Sequence, residues 1–222
     1  MAAPRIALIH ALRLSPPPIM EAFARLWPEP VLMNLLDDSL SADLARDGVL
    51  TPTMTQRFLD LAAYARRAGA DAILFTCSAF GPCIEAVKAA HPAIPVLKPN
   101  EAMIDAALDA APSGRIGLIA TFRPTFDSMR PEFAAAAAAR GIALDLREGF
   151  AEGAMAALER GDGAAHDARA AEAAKGLGDC EAIALAQFSL ARAAPTVAKA
   201  TGKPVLTTPD SAVARLRSLL AA

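Results

Sequence analysis

The side chains able to do chemistry gather where short apolar runs stop. In Ile73-Leu74-Phe75-Thr76-Cys77-Ser78, three residues suited to a buried strand end in a thiol between two hydroxyls, and the helical pattern of Ile84, Ala86 and Val87 follows. Backbone N–H groups just after Cys77 then point back at the sulfur, an arrangement that favours a thiolate. Cys77 is therefore the leading candidate for an acid, base or nucleophile, against the alternative of a buried, inert cysteine. Thr76 and Ser78 are candidates to hold a substrate carboxylate, although hydroxyls at a strand exit also serve as helix caps. His10 closes another run, Arg5-Ile6-Ala7-Leu8-Ile9. It is a candidate to tune the thiol or to act as a base on the opposite face of a substrate, against a satisfied structural histidine.

The elements that would position these groups alternate strand and helix. Arg5 to Ile9, Val31 to Leu36, Ile73 to Phe75 and Pro95 to Leu97 read as strands. Between them, Leu14-Ser15-Pro16-Pro17-Pro18 is expected to be a loop leading into a helix over about 19–26. Thr55 to Ala68 carries Phe58, Leu61, Ala62 and Ala65 at helical spacing and stops at Gly69. Another helix is expected from Asn100 through Leu108.

From Arg115 the pattern begins again. At a shift of 110 residues Arg5-Ile6-Ala7-Leu8-Ile9 reappears as Arg115-Ile116-Gly117-Leu118-Ile119; Phe23 meets Phe133, Ala72-Ile73 meets Ala182-Ile183, and Val87 meets Val197. One residue short of that shift, Pro95-Val96-Leu97 meets Pro204-Val205-Leu206. Two copies of an α/β unit imply two lobes related by pseudo-twofold symmetry, with a site expected between them at the carboxyl ends of the strands. The symmetry breaks at the thiol: the equivalent of Cys77 is Gln187, in Ala186-Gln187-Phe188-Ser189. An amide can neither give nor take a proton at neutral pH, so Gln187 and Ser189 are candidates for hydrogen bonds to a substrate or oxyanion.

The chain has 222 residues and is 54% hydrophobic, enough for two small cored lobes. A net charge of −2 with scattered charges offers no basic face for nucleic acid and no polybasic membrane anchor. Cys77, Cys83 and Cys180 fit neither a disulfide framework nor metal-binding spacing, which suits a reducing cytoplasm. The first residues lack a signal-peptide core, and no run reaches membrane-spanning length. No GxGxxG, GxSxG or P-loop occurs.

Taken together, these stretches resemble the aspartate/glutamate racemase superfamily over nearly the whole chain. Ile73 to Pro82 is similar to its first cysteine motif, which implies Cys77 as acid/base. Gly117 to Thr125, followed by Ser128, is similar to its second-lobe strand and hydroxyl-rich loop, which implies Thr121 and Thr125 as carboxylate ligands. Leu185 to Ala191 is similar to its second cysteine motif without the cysteine.

The resemblance implies two duplicated α/β lobes with mostly parallel sheets, no cofactor and no metal, a small-molecule carboxylate substrate, and an assembly that is often a homodimer. The expected division is 1–98 for the first lobe, completed by a C-terminal helix over 208–222, with 99–207 as the second. Ser15, in the loop after the first strand, joins the substrate-binding candidates. The expected function is a cofactor-independent racemase or isomerase acting at the α-carbon of the carboxylate. A lyase resembling arylmalonate decarboxylase, a cis-trans isomerase using Cys77 as nucleophile, and an inactive ligand-binding module are the alternatives. Leu12, Leu14, Phe80, Phe122 and Phe188 are expected to wall the site with apolar surface.

Overall fold

Strand β1, Arg5–His10, is shielded on both faces at every residue after Arg5, which is why it reads as an unbroken apolar run rather than an alternating one. It belongs to a computed structural model that describes residues 3–221 and divides into two compact units. One runs through Pro99 and includes the chain's end from Ala212; the other spans Asn100–Ser211.

In the first unit, β1 is joined by β2 (Val31–Leu36), β3 (Ala72–Phe75) and β4 (Val96–Leu97) in a parallel sheet of order β2-β1-β3-β4. The register pairs Ile9 with Phe75 and His10 with Leu36, so His10 and the Thr76-Cys77 pair leave the sheet at the same end. Helices α1 (Pro16–Leu26), α2 (Ser39–Asp47), α3 (Pro52–Arg67) and α4 (Gly81–Ala90) complete the unit.

Two of these helices differ from the sequence reading. The three prolines form the first turn of α1 rather than a loop before it, because the first turn of a helix has no use for those N–H groups. Helix α2 was not anticipated: its apolar stripe is short, Leu40 and Leu44, and it stops at Gly48, whose φ of 67° suits a left-handed cap. Helix α3 starts at Pro52, where the Thr51 hydroxyl accepts from the Met54 N–H at 3.3 Å.

Phe58 of α3 stacks on Phe75 at 5.1 Å between centroids and meets Phe80 in a tilted contact at 5.0 Å. It thus holds both flanks of the Thr76-Cys77-Ser78 exit against the core. On the neighbouring strand exit, the Arg57 side chain bonds Asp37 and, at 2.6 Å, Asp43, tying α3 to the end of β2 and to α2.

The second unit repeats the plan. Helix α5 (Glu101–Ala110) precedes β5 (Arg115–Ala120), α6 (Pro124–Ala139), β6 (Asp145–Phe150), α7 (Ala154–Glu159), α8 (Gly163–Lys175) and β7 (Ala182–Leu185). Helix α9 (Ala194–Thr201) and β8 (Val205–Thr207) follow, and α10 (Thr208–Ala221) starts in this unit but belongs to the first from Ala212 onward. Its sheet is parallel in the order β6-β5-β7-β8, the order of the first sheet. The duplication read from the sequence is thus a duplication of topology. Where the first copy has Ala7 the second has Gly117, and a Cβ there would fall 2.7 Å from Ile183 Cδ1 and 2.9 Å from Leu177 Cδ1. Leu177 fills that space, a local repacking of an otherwise repeated strand.

Candidate functional site

In the first unit, Thr76 carries the β1–β3 ladder one residue past Phe75, its N–H donating to the Ile9 carbonyl at 3.1 Å. Its hydroxyl is buried and lies 2.8 Å from His10 Nδ1. The other ring nitrogen, Nε2, lies 3.0 Å from Asn34 Oδ1. With an amide oxygen facing it, Nε2 carries the proton, and Nδ1 accepts from the Thr76 hydroxyl. The ring is 1% exposed. Burial pushes its pKa below the ordinary value, and the bond to Asn34 opposes this without reversing it. His10 is thus a neutral imidazole with both nitrogens engaged, bridging β2 and β3 from the end of β1.

Cys77 follows in extended conformation and heads a 3-10 turn, Ser78–Phe80. Its sulfur is half-buried and meets the Ala79 N–H and the Ser41 hydroxyl. The N–H expected to point back at the thiol is there, but its effect is outweighed. Burial raises the Cys77 pKa above the ordinary thiol value, while Ala79 and Ser41 pull the other way and only moderate the rise. The resting side chain is a protonated thiol, not the thiolate expected from sequence. The Ser41 proton goes to the Ala11 carbonyl at 2.8 Å, which holds the Ser41 oxygen beside the sulfur.

Ser78 is half-buried beside Cys77. Ser15 is buried at the start of α1, where its hydroxyl caps no N–H.

In the second unit the exits of β5 and β7 are joined differently. Gln187 Oε1 accepts from the Thr121 N–H at 2.7 Å and from the Thr121 hydroxyl at 2.9 Å. With the carbonyl so committed, the NH2 end is the part of Gln187 left to address a ligand. Ser189 lies half-buried in a second 3-10 segment, Phe188–Ala193. Thr125 is half-buried in the first turn of α6, with its N–H on the Phe122 carbonyl at 3.1 Å.

The expected apolar wall is reduced. Phe80 is 0% exposed and Phe188 9%, so both belong to the core, whereas Leu12, Leu14 and Phe122 are exposed. Cys83 is buried with its sulfur 3.4 Å from the Thr55 hydroxyl, and Cys180 is buried at the opposite end of β7 from Gln187. Among the described residues no three His, Cys, Asp or Glu side chains group to hold a metal ion, and no helix is long and apolar enough to cross a membrane.

Sequence reasoning missed Ser41 and Asn34. Ser41 lies on α2, the helix that went unread. Asn34 did leave a signal, as the single polar residue of Val31-Leu32-Met33-Asn34-Leu35-Leu36.

Residues 18–216 match the sequence pattern of the family described as Asp/Glu/Hydantoin racemase. No curated protein matches the chain significantly. Among solved structures, a glutamate racemase from Bacillus anthracis is similar at 15% identity and a TM-score of 0.73, covering 100% of this chain and 83% of its own. Allantoin racemase from Klebsiella pneumoniae is similar at 18% identity and a TM-score of 0.71, with coverages of 99% and 88%. An arylmalonate decarboxylase is similar at 19% identity and a TM-score of 0.63, with coverages of 97% and 92%. At these identities the likeness is one of fold.

Proposed function

The chain belongs to the Asp/Glu/Hydantoin racemase family, and from that premise we propose that it is a racemase-type enzyme moving a proton at the carbon next to a substrate carboxylate, with water as the base that removes the α-proton on one face and Cys77 as the acid that returns one on the other. The observation that carries this reading is the state of the thiol. Cys77 rests as a protonated thiol, its pKa raised further by burial, while the Ala79 N–H and the Ser41 contact favour the charged sulfur that forms once the proton leaves. A protonated thiol is a donor, and a planar enediolate is an acceptor that needs one.

Ser78, Ser15, Thr125, Gln187 and Ser189 are assigned to substrate binding, as hydrogen-bond donors to oxygens on which enediolate charge gathers, and Thr76 and Thr121, whose donors are committed to Ile9 and His10 and to Gln187, are assigned to holding the strand exits. His10, engaged at both nitrogens, is assigned to holding Thr76 and the β3 exit rather than to proton abstraction. Gln187 has no titratable proton where the second cysteine would stand, and this favours a second reading, that of a lyase. In that form the bond to a carboxylate breaks and carbon dioxide leaves. The electron pair remains as an enediolate, Cys77 delivers its proton to carbon, and the thiolate is reprotonated from water. A nucleophilic thiolate is the weaker alternative, since the pKa shift opposes it.

The test is deuterium incorporation followed by NMR in heavy water. Wild type and Cys77→Ser are incubated with aspartate, glutamate, allantoin and other hydantoins, and an arylmalonate. The expected result is Cys77-dependent deuterium at the α-carbon, with single-handed product pointing to the lyase form and racemic product to the racemase form. Neither exchange nor carbon dioxide release across the panel would replace this reading with that of a ligand-binding protein without turnover.

A further inference from the structure

The exits of β3 and β7 differ in more than the thiol. After β3 the 3-10 turn has three residues and α4 begins at Gly81; after β7 the 3-10 segment has six residues, Phe188–Ala193, before α9 begins at Ala194. Runs of this length are uncommon, because i→i+3 hydrogen bonds are poorly aligned and side chains three apart eclipse. The segment's sequence, Phe188-Ser189-Leu190-Ala191-Arg192-Ala193, contains no Pro or Gly, but Pro195, in the first turn of α9, has no N–H for the Ala191 carbonyl and crowds it, so α9 does not extend back through the segment. With weak bonds of its own and no α-helix to join, the segment takes its order from a hold outside it.

Arg192 supplies one. Its guanidinium forks onto Asp167 of α8, Nε to Oδ1 at 2.9 Å and Nη2 to Oδ2 at 3.3 Å. Asp167 is fixed in turn by His166, whose Nδ1 lies 2.8 Å from the same Oδ1. His166 is 0% exposed and its Nε2 is buried without a partner, so the fold tolerates an unsatisfied atom where this histidine holds Asp167. The guanidinium also lies against Gly163, the first residue of α8. A Cβ there would fall 2.1 Å from Nη2 and 2.4 Å from Cζ.

We propose that the Arg192–Asp167 clamp, seated on Gly163, keeps residues 188–193 in 3-10 form and thereby sets the reach of Gln187 and Ser189, making Arg192 a positioning residue. The functional half of this inference rests on the assignment of Gln187 to substrate binding. Released from the clamp, a segment held only by poorly aligned i→i+3 bonds frays, and Gln187 at its head shifts with it. Its paired bonds to Thr121 do not survive such a shift.

The test compares full-length wild type, Gly163→Ala, Arg192→Ala and Arg192→Lys by hydrogen exchange with mass spectrometry. Gly163→Ala is the discriminating variant. Alanine is the better helix former, so if Arg192 did not need that space the change would leave exchange as it is or slow it. The expected result is exchange at least tenfold faster over residues 188–194 in Gly163→Ala and Arg192→Ala, with β7 still protected. Arg192→Lys should be intermediate, since an ammonium keeps the charge but not the fork. Unaltered exchange in both Gly163→Ala and Arg192→Ala overturns the clamp. On a panel compound that wild type turns over, the same two variants should raise KM at least fivefold with kcat within twofold. Accelerated exchange with unchanged KM would overturn the positioning role. Gln187→Leu is read separately: if it leaves KM unchanged, the substrate assignment of Gln187 fails, and the clamp is then judged by exchange alone.

Discussion

Gln187 takes both donors of Thr121 on one oxygen, the backbone N–H at 2.7 Å and the hydroxyl at 2.9 Å. At the shift of the internal repeat these residues correspond to Cys77 and Ala11. In the first unit the two positions are joined through a third residue: Ser41 meets the Cys77 sulfur and donates to the Ala11 carbonyl at 2.8 Å. The longer side chain of Gln187 spans what Cys77 needs Ser41 to span. The amide at the second unit's exit thus carries a hydrogen-bond pattern of its own.

That pattern predicts the cost of removing it. Gln187→Leu leaves the buried Thr121 hydroxyl and its N–H without their acceptor, and the expected destabilisation is about 1–3 kcal/mol. Gln187→Glu keeps an acceptor at the same reach and should retain most of the stability. Urea unfolding of the three proteins checks this; equal midpoints for Gln187→Leu and wild type would mean that the two bonds contribute nothing.

Cys77 carries a pH dependence of definite sign. Its folded-state pKa is raised by burial, so between the ordinary thiol value and the folded value the native state binds more protons than the unfolded state. Stability should therefore be flat below the ordinary thiol pKa, fall as pH rises through that window, and level off above the folded value. Cys77→Ser should lack this component. Alkylation by iodoacetamide should be slow at pH 7 and rise only at a pH above that of an unstructured cysteine. Ser41→Ala, which removes the contact that draws the Cys77 pKa down, should move the alkylation profile further upward.

How much of this was legible in the sequence depends on the kind of force involved. The strands β1 and β5 were legible because a parallel strand buried on both faces is apolar throughout, and Arg5 to Ile9 repeats as Arg115 to Ile119. The exit at Cys77 was legible because an apolar run ended abruptly in polar residues. Helix α2 was not, since two leucines four residues apart in a nine-residue helix give little periodicity. The Asn34 bond to His10 depends on the register of β1 against β2, which no local pattern states. The direction of the Cys77 shift was missed for a similar reason. The chain order gave the Ala79 N–H, but the burial that outweighs it comes from packing against a core gathered from residues distant in sequence.

His10 gives a prediction of the opposite sign to that of Cys77. Its folded pKa lies below the ordinary value because the ring is buried. The stability this reflects is present above the unfolded pKa and is lost as pH falls from there through the folded value. NMR titration of the His10 ring should show a midpoint below about 6.5, the unperturbed value. Asn34→Asp places a carboxylate against Nε2 and should move the midpoint upward; Asn34→Ala removes the bond that opposes the shift and should move it further down. A midpoint unaffected by both changes would remove Asn34 from the account of His10.

The last prediction concerns what keeps the Cys77 exit in shape. Phe58 is 2% exposed and packs against Phe75 and Phe80, the residues on either side of Thr76-Cys77-Ser78-Ala79. Phe58→Ala opens a cavity between them, and large-to-small changes of this kind cost about 3–5 kcal/mol. Phe58→Leu keeps most of the volume and should cost less, because surrounding side chains can close on it. The two variants separate packing from chemistry. If the ring only fills space, Phe58→Leu should keep wild-type hydrogen exchange over 76–80 and wild-type alkylation of Cys77. If the ring aligns the exit, Phe58→Leu should speed both while its global stability stays close to wild type. The structure favours alignment, since one ring contacts both ends of a turn whose conformation brings the Ala79 N–H to the sulfur.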